Sequence, residues 1–276
     1  MKLYTKPGAC STAVHISLRW SGLAFEVEIL DATTMKAPAY LALNPAGAVP
    51  LLVDGDFVLN QNAAILGYIA DQAPAAGLAG DGSARQRAEA NRWLAFVNSD
   101  LHPAFKPLFM PANYIGDDSQ YDPARPAART RVRALSETAE RQLGGQDRLA
   151  GFRSYADPYL HLTLRWAGRV GVDLGGLPQL AAFQARMDAD PGVQAVLRAE
   201  GLAGAVGARL PTGQRGADGR RRRPSAPEAA RACPLKGRRS PAARCRRIPR
   251  PWPWPAPGAS PAAARATRRR PGSARP

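Results

Sequence analysis

The spacing of apolar residues predicts short strands alternating with helices over roughly the first 72 residues. Residues 25–29 alternate apolar and polar side chains with period two, as a half-buried strand does. Residues 51–59 form two such runs around Asp54-Gly55, which is a strong hairpin signal. Helical spacing follows residue 10 and again residue 62. The predicted order of elements is therefore β-α-β-α-β-β-α.

From residue 84 onward the spacing is helical only. Helices are predicted over 85–109, with bends at Pro103 and Pro107, and over 126–143, 178–187 and 191–197. Another helix begins at Ser154, because Asp157 three residues later completes a capping box. The fold class is α/β plus all-α, with a thioredoxin-like domain at 1–76 and an all-helical domain at 85–202.

The net charge of +16 belongs to one end of the chain. Residues 1–202 carry 19 Lys and Arg against 20 Asp and Glu, whereas residues 203–276 carry 19 against 2. That tail holds half of the 26 prolines and few spaced apolar residues, so disorder is predicted there. Its arginine runs with Trp252 and Trp254 suit nucleic-acid binding. A frameshift or read-through in a GC-rich gene also yields this composition, and we favour that origin.

The number and spacing of the three cysteines argue against a disulfide-stabilised protein and against a cysteine metal site. Cys10, Cys233 and Cys245 form neither a disulfide framework nor a pattern of metal ligands. The chain starts without the apolar run of a signal peptide, and no stretch approaches the roughly 18 apolar residues of a membrane span. A cytoplasmic protein that contacts no membrane is predicted, with no metal and no cofactor.

Cys10 stands where a turn becomes a helix, and this position suggests chemistry. Free amides and the positive end of the helix dipole favour a thiolate, so a lowered thiol pKa is expected. Val49-Pro50 precedes a predicted strand, a place where a cis proline often forms a binding edge. Either Cys10 forms a disulfide with a bound thiol or it donates a hydrogen bond to one; Thr5 and Ser11 supply alternative hydroxyls.

Several motifs together resemble bacterial glutathione S-transferases of the beta class. The resemblance covers about residues 1–202 and implies a homodimer that conjugates glutathione, as co-substrate, to small hydrophobic electrophiles in detoxification. The motifs, in chain order, are Met1 to Tyr4, Lys6 to Ser11, His15, Asn44-Pro45, Gly47, Val49-Pro50, Leu101-His102, Ala156-Asp157, Leu164 to Ala167 and Ala199 to Leu202.

The resemblance also implies roles for individual residues. Cys10 and His102 match the catalytic cysteine and the histidine that approaches it. Glutathione-binding positions match Thr5, Lys36, Val49, Pro50, Gln61, Asn62 and Ser99. Because Asn62 begins a predicted helix, capping is an alternative role for it. Phe109 and Tyr114 are candidate walls of an electrophile pocket.

Two alternatives to the conjugating enzyme remain open at the level of sequence. One is a thiol–disulfide reductase acting through a mixed disulfide between Cys10 and glutathione. The other is a non-catalytic binding protein, suggested by Thr5, Gln61 and Ala95, which stand where relatives of this class carry other residues. Nucleic-acid association through the tail is a third candidate.

Overall fold

One mixed sheet of four strands forms the N-terminal half. The computed structural model describes residues 1–204. Strands β1 (Lys2–Thr5), β2 (Glu26–Ile29), β3 (Leu51–Asp54) and β4 (Phe57–Asn60) lie in the order β2-β1-β3-β4. β1 runs parallel to β2 and antiparallel to β3, and β3 and β4 form the expected hairpin.

Three helices complete this half and confirm the predicted element order. They are α1 (Ser11–Ser21), α2 (Pro38–Leu43) and α3 (Asn62–Gln72). Gly22 ends α1 with a φ of 74°, a left-handed conformation that glycine adopts without a steric penalty. Nearly every residue of α1 is buried, because the helix lies between β1 and α3 on one side and the C-terminal helices on the other.

The second half is helical, as predicted, but one long helix is replaced by several short ones. After α4 (Ala84–Ala95), the chain makes a π-helical turn at Phe96–Leu101 and continues in α5 (His102–Ala104) and α6 (Lys106–Phe109). Pro103 has no N–H to donate to the preceding turn, which accounts for the break near His102. The remaining helices are α7 (Tyr121–Gln142), α8 (Ala156–Arg169), α9 (Pro178–Ala189) and α10 (Pro191–Ala199).

The predicted capping box forms only in part before α8: Tyr155 is the N-cap without a side-chain capping bond, and the N–H of Asp157 donates to the carbonyl of Ser154 rather than to its hydroxyl. The N–H of Ser154 donates to Oδ2 of Asp157 at 2.8 Å, and the N–H of Ala156 donates to Oγ of Ser154 at 3.3 Å. The second carboxylate oxygen of Asp157 accepts from the N–H of Leu149 at 3.2 Å. A fully buried carboxylate thus fixes both the start of α8 and the loop before it.

A continuous apolar core joins the two halves. It includes Leu3, Ile16 and Leu66 from the first half together with Leu160 and Phe183 from the second. The domain bounds 1–76 and 85–202 therefore stay predictions. Within residues 1–204, no helix combines the length and apolar character required to cross a membrane. The predictions of disorder and nucleic-acid association concern a tail that, from residue 205, lies outside the described part of the chain.

Candidate active site

A cleft of about 300 Å³ opens where the loop before α1, the start of β3 and the first helices of the second half meet. Six residues expected at the active site line it: Cys10, Val49, Pro50, Gln61, Asn62 and His102. The Val49-Pro50 peptide bond is cis, as expected at this edge. Asn98, Lys106 and Tyr159 also line the cleft, although sequence reasoning did not select them.

Cys10 is held as a neutral thiol. The residue immediately precedes α1, and its Sγ lies 3.7 Å from the carbonyl oxygen of Val49, to which the thiol donates. Burial raises the pKa of the thiol to about 11, and the neighbouring N–H groups of Cys10 and Ser11 offset only part of that rise. The expectation of a lowered pKa is therefore wrong: desolvation of the partly buried sulfur disfavours its charge more than the helix terminus stabilises it.

Alkylation of Cys10 tests this conclusion. The variant Cys233→Ser/Cys245→Ser retains Cys10 as its single cysteine. We expect its rate of alkylation by iodoacetamide to keep rising with pH until about pH 11. The thiolate is the nucleophile, so the rate follows its population. The same reaction of a free cysteine in a short peptide is the reference. A rate that levels off below pH 8.5 would contradict the neutral thiol.

His102 is an uncharged imidazole at neutral pH. Burial, followed by the positive charge of Lys106, lowers the pKa of His102 to about 4. Its Nδ1 lies 2.5 Å from the hydroxyl of Tyr159, and its ring packs edge-on against Trp166 with centroids 4.9 Å apart. In the sequence, Tyr159 lies in the predicted helix that begins at Ser154, and its one signal for a site role is that a buried tyrosine hydroxyl needs a polar partner.

Gln61 and Asn62 present polar side chains to the cleft, and the amide of Asn62 has no hydrogen-bond partner among residues 1–204. Gln61 has a φ of 71°, the only positive φ of a non-glycine residue in the described part of the chain. Asn62 is 5% exposed, and neither atom of its amide has a hydrogen-bond partner within residues 1–204. Because neither amide atom bonds to the backbone of α3, the predicted capping role of Asn62 is wrong. Such an amide at the start of a helix is suited to a charged ligand group.

Three residues expected to bind glutathione lie outside the cleft. Thr5 is fully buried, and its hydroxyl lies 2.8 Å from Ser11 Oγ. The ammonium of Lys36 donates to the carbonyl of Gly47 at 3.2 Å. Ser99 lines a separate surface depression beside Trp93, because it lies on the π-helical turn away from Cys10. The structure does not bring these three side chains to the sulfur of Cys10.

Glu200 holds the loop before Cys10 from the far end of the chain. It follows α10, is 4% exposed, and accepts from Thr12 Oγ1 at 2.6 Å and Gly8 N at 3.3 Å. Its other oxygen lies 2.9 Å from His15 Nδ1 and accepts from Thr5 at 3.3 Å. The segment around Glu200 resembles the family in sequence, but no role could be predicted for it, since its partners lie about 190 residues earlier.

Nothing within residues 1–204 resembles a metal centre. No cluster of three or more His, Cys, Asp or Glu side chains is placed to hold an ion there. The chemistry available in the cleft is instead that of a neutral thiol, a neutral imidazole and several amides around an open cavity. These are hydrogen-bond donors and acceptors, which can orient a polar thiol compound and stabilise negative charge on its sulfur.

Known proteins with this fold are similar along the whole described part. The family of glutathione S-transferase N-terminal domains matches residues 8–72. A curated relative from Xanthomonas campestris, glutathione S-transferase GST-4.5, is 60% identical over 203 residues, which are 73% of this chain and all of the relative.

Two solved structures extend the comparison. A sphingomonad glutathione S-transferase complexed with glutathione is 42% identical, with a TM-score of 0.65 over 74% of this chain and all of the other. A beta-class glutathione S-transferase from Sphingomonas chungbukensis is 40% identical, with a TM-score of 0.65 over 73% of this chain and all of the other. The chain therefore belongs to the glutathione S-transferase family, and its resemblance to the bacterial beta class is confirmed.

Proposed function

We propose that this protein conjugates glutathione to small apolar electrophiles in the cleft around Cys10. The observation that carries the proposal is the convergence of Cys10, Val49, Asn62 and His102 on one cavity of a glutathione S-transferase fold. Binding both reactants in one cavity converts a bimolecular reaction into an effectively unimolecular one, which is a large source of rate enhancement.

The proposed pose of glutathione uses the groups that the protein leaves unpaired. Asn62, buried and without a partner among the described residues, receives the γ-glutamyl end beside Gln61. The backbone of Val49 receives the cysteinyl part at the cis-proline edge. A buried amide without a partner is unfavourable by about 1–3 kcal/mol, and a ligand that satisfies it recovers that free energy on binding.

In this proposal the thiol hydrogen of Cys10 turns from the carbonyl of Val49, which then accepts from glutathione, and donates to the glutathione sulfur. With a pKa of about 11, only about one Cys10 thiol in 10⁴ is ionised at pH 7. A neutral thiol can donate to a glutathione thiolate, whereas attack on a disulfide needs the thiolate of Cys10 itself. Reductase activity is therefore the slower, secondary reaction at neutral pH.

The apolar electrophile is proposed to bind along a row of aromatic side chains. Trp166 contacts the ring of His102, and Phe109 packs edge-on against Trp166 with centroids 5.6 Å apart. Phe109 is 37% exposed, so this row leads from His102 to the surface. Tyr114, which is 51% exposed, packs instead under the ammonium of Lys106, a residue that lines the cleft. Aromatic surface of this kind favours flat apolar compounds such as aryl halides.

Substitution of Cys10 tests the function and the role of the thiol together. We expect Cys10→Ser, which keeps a donor, to retain most conjugation of an aryl halide. Cys10→Ala should lose about tenfold, the equivalent of one hydrogen bond of about 1.4 kcal/mol. Reduction of hydroxyethyl disulfide should disappear in both variants.

The matched control carries Cys233→Ser and Cys245→Ser and should behave as the wild type does. Retention on immobilised glutathione separates the enzyme from the non-catalytic alternative. Failure of the wild type to bind at millimolar glutathione would refute the proposed function. Full conjugation activity in Cys10→Ala would refute the donor role alone.

We further propose that the enzyme is a cytoplasmic homodimer that serves detoxification. Phe57 and Val58 on the edge strand β4 are 46% and 42% exposed, and side chains of this kind favour contact with a second chain. The family likeness supports the same arrangement. Nucleic-acid association is not proposed, because it depends on residues outside the described part of the chain.

A further inference from the structure

We propose that Tyr159 is a positioning residue for His102. Its hydroxyl donates to Nδ1 of the imidazole, which leaves the ring hydrogen on Nε2 and makes His102 a hydrogen-bond donor rather than a base in the cleft. The kinetic part of this inference rests on the proposed function. The placement of the hydrogen does not.

The direction of the bond between Tyr159 and His102 follows from geometry. The hydroxyl lies 2.5 Å from Nδ1, whereas Oδ1 of Asn98 is 3.4 Å away. The amide of Asn62 is also near the hydroxyl, but its oxygen makes no hydrogen bond of normal geometry within residues 1–204. An O–H···O bond is normally 2.5–3.0 Å long, so the distance to Asn98 is too great for the main bond. The single hydroxyl hydrogen therefore points to His102, and Nδ1 must be the unprotonated nitrogen.

The surroundings keep this arrangement fixed. Tyr159 is fully buried on α8, and the ring of His102 packs between Tyr159 and Trp166 with centroid distances of 5.8 and 4.9 Å. Trp166 in turn donates its Nε1–H to the carbonyl of Gly8 at 2.8 Å, in the loop that carries Cys10. One helix thus holds both the histidine and the cysteine loop.

As a chemical consequence, His102 presents an N–H hydrogen-bond donor beside the sulfur of bound glutathione. Within residues 1–204, Nε2 of His102 has no hydrogen-bond partner, while the residue lines the cleft together with Cys10. Burial and Lys106 lower the pKa of His102 to about 4, so the imidazole is neutral and holds one ring hydrogen at pH 7. An N–H at this place stabilises negative charge on the sulfur of glutathione or on the electrophile in the transition state.

Nitrogen NMR of ¹⁵N-histidine-labelled full-length protein tests the hydrogen placement directly. The chain has only three histidines, so His102→Gln identifies the relevant signals. At pH 7 we expect Nε2 of His102 to be protonated and Nδ1 to be a hydrogen-bonded acceptor. Tyr159→Phe should shift the Nδ1 signal. A proton on Nδ1 in the wild type, or an Nδ1 signal unchanged in Tyr159→Phe, would overturn the inference.

Kinetics test whether Tyr159 acts through His102. We expect Tyr159→Phe to lower kcat for conjugation about tenfold with the KM for glutathione unchanged. In a His102→Gln background the same substitution should have no further effect, since the group that it positions is gone. Equal losses in both backgrounds would mean that Tyr159 acts independently, which would overturn the positioning role.

Tyr155→Phe is the matched control. Tyr155 is also fully buried, and its hydroxyl donates to Oδ1 of Asn91 at 2.6 Å, outside the cleft. The control should lose a buried hydroxyl bond yet keep kcat and the histidine spectrum. If the wild type shows no conjugation at all, the proposed function fails, while the NMR result still decides the assignment of the ring hydrogen.

Discussion

Glu200→Ala is expected to destabilise the protein by about 3–5 kcal/mol and to remove most conjugation activity. The substitution leaves the hydroxyls of Thr5 and Thr12 and the Nδ1 of His15 buried without their common carboxylate. Each orphaned buried group is unfavourable by about 1–3 kcal/mol, and partial rearrangement reduces the sum. The N–H of Gly8 loses one of its two acceptors, and the other is the hydroxyl of Thr12, which has itself lost the carboxylate; the loop that positions Cys10 is therefore loosened.

Urea denaturation followed by circular dichroism measures the change in the free energy of unfolding of Glu200→Ala. Glu140→Ala is the matched control, because Glu140 accepts two N–H groups, from Gln179 at 3.0 Å and Leu180 at 2.8 Å, at a site away from the cleft. The control should lose stability while conjugation persists under conditions where it is folded. Wild-type stability and activity in Glu200→Ala would show that the buried network does not hold the loop.

Asp157→Ala is expected to lower the free energy of unfolding by about 2–5 kcal/mol, because two buried N–H groups lose their acceptor. These belong to Ser154 and Leu149. Asp157→Asn keeps one acceptor oxygen, so its loss should be smaller. Chemical denaturation of both variants beside the wild type at pH 7 measures the difference. Equal losses of stability in the two variants would contradict the view that the side-chain oxygen retained in Asp157→Asn still accepts a hydrogen bond.

The same carboxyl group gives a pH signature. Burial raises the pKa of Asp157 to about 6 in the folded protein, above the value of about 3.8 of an unfolded chain. The folded state therefore binds the proton more tightly, and the contribution of Asp157 to stability is full below pH 4 and falls as the pH rises to about 6. The loss amounts to about 3 kcal/mol.

Comparison with Asp157→Asn isolates this pH dependence. The asparagine variant does not titrate, so the difference in stability between it and the wild type should shift by that amount between pH 4 and pH 7 in favour of the variant. A difference that stays constant with pH would mean that the pKa of Asp157 is unperturbed by folding.

The element order could be predicted because it depends on local pattern. Alternating residues gave β2, and Asp54-Gly55 gave the β3–β4 hairpin, since both signals lie within a few residues of each other. The break between α4 and α6 was predicted only as a bend. A π-helical turn depends on how Phe96–Leu101 pack against neighbouring helices, and that packing is not written in the local spacing.

The residues of the candidate site also fall into two groups, those with a local sequence signal and those without one. Cys10 and Val49-Pro50 carry local signals, a turn before a helix and an X-Pro bond before a strand, whereas Gln61-Asn62 was assigned through the family resemblance. Thr5, Lys36 and Ser99 carry no local signal that distinguishes a ligand contact from an internal hydrogen bond. The structure places their polar groups elsewhere.

The sequence alone determined which segments form strands and helices and which residue carries the thiol, because both are fixed by neighbours along the chain. Tertiary structure decided the protonation of that thiol, since burial by residues distant in sequence raises its pKa to about 11. It also brought Tyr159 to His102 and Glu200 to the loop before Cys10. Desolvation and long-range hydrogen bonds are properties of the packed chain, so no local pattern contains them.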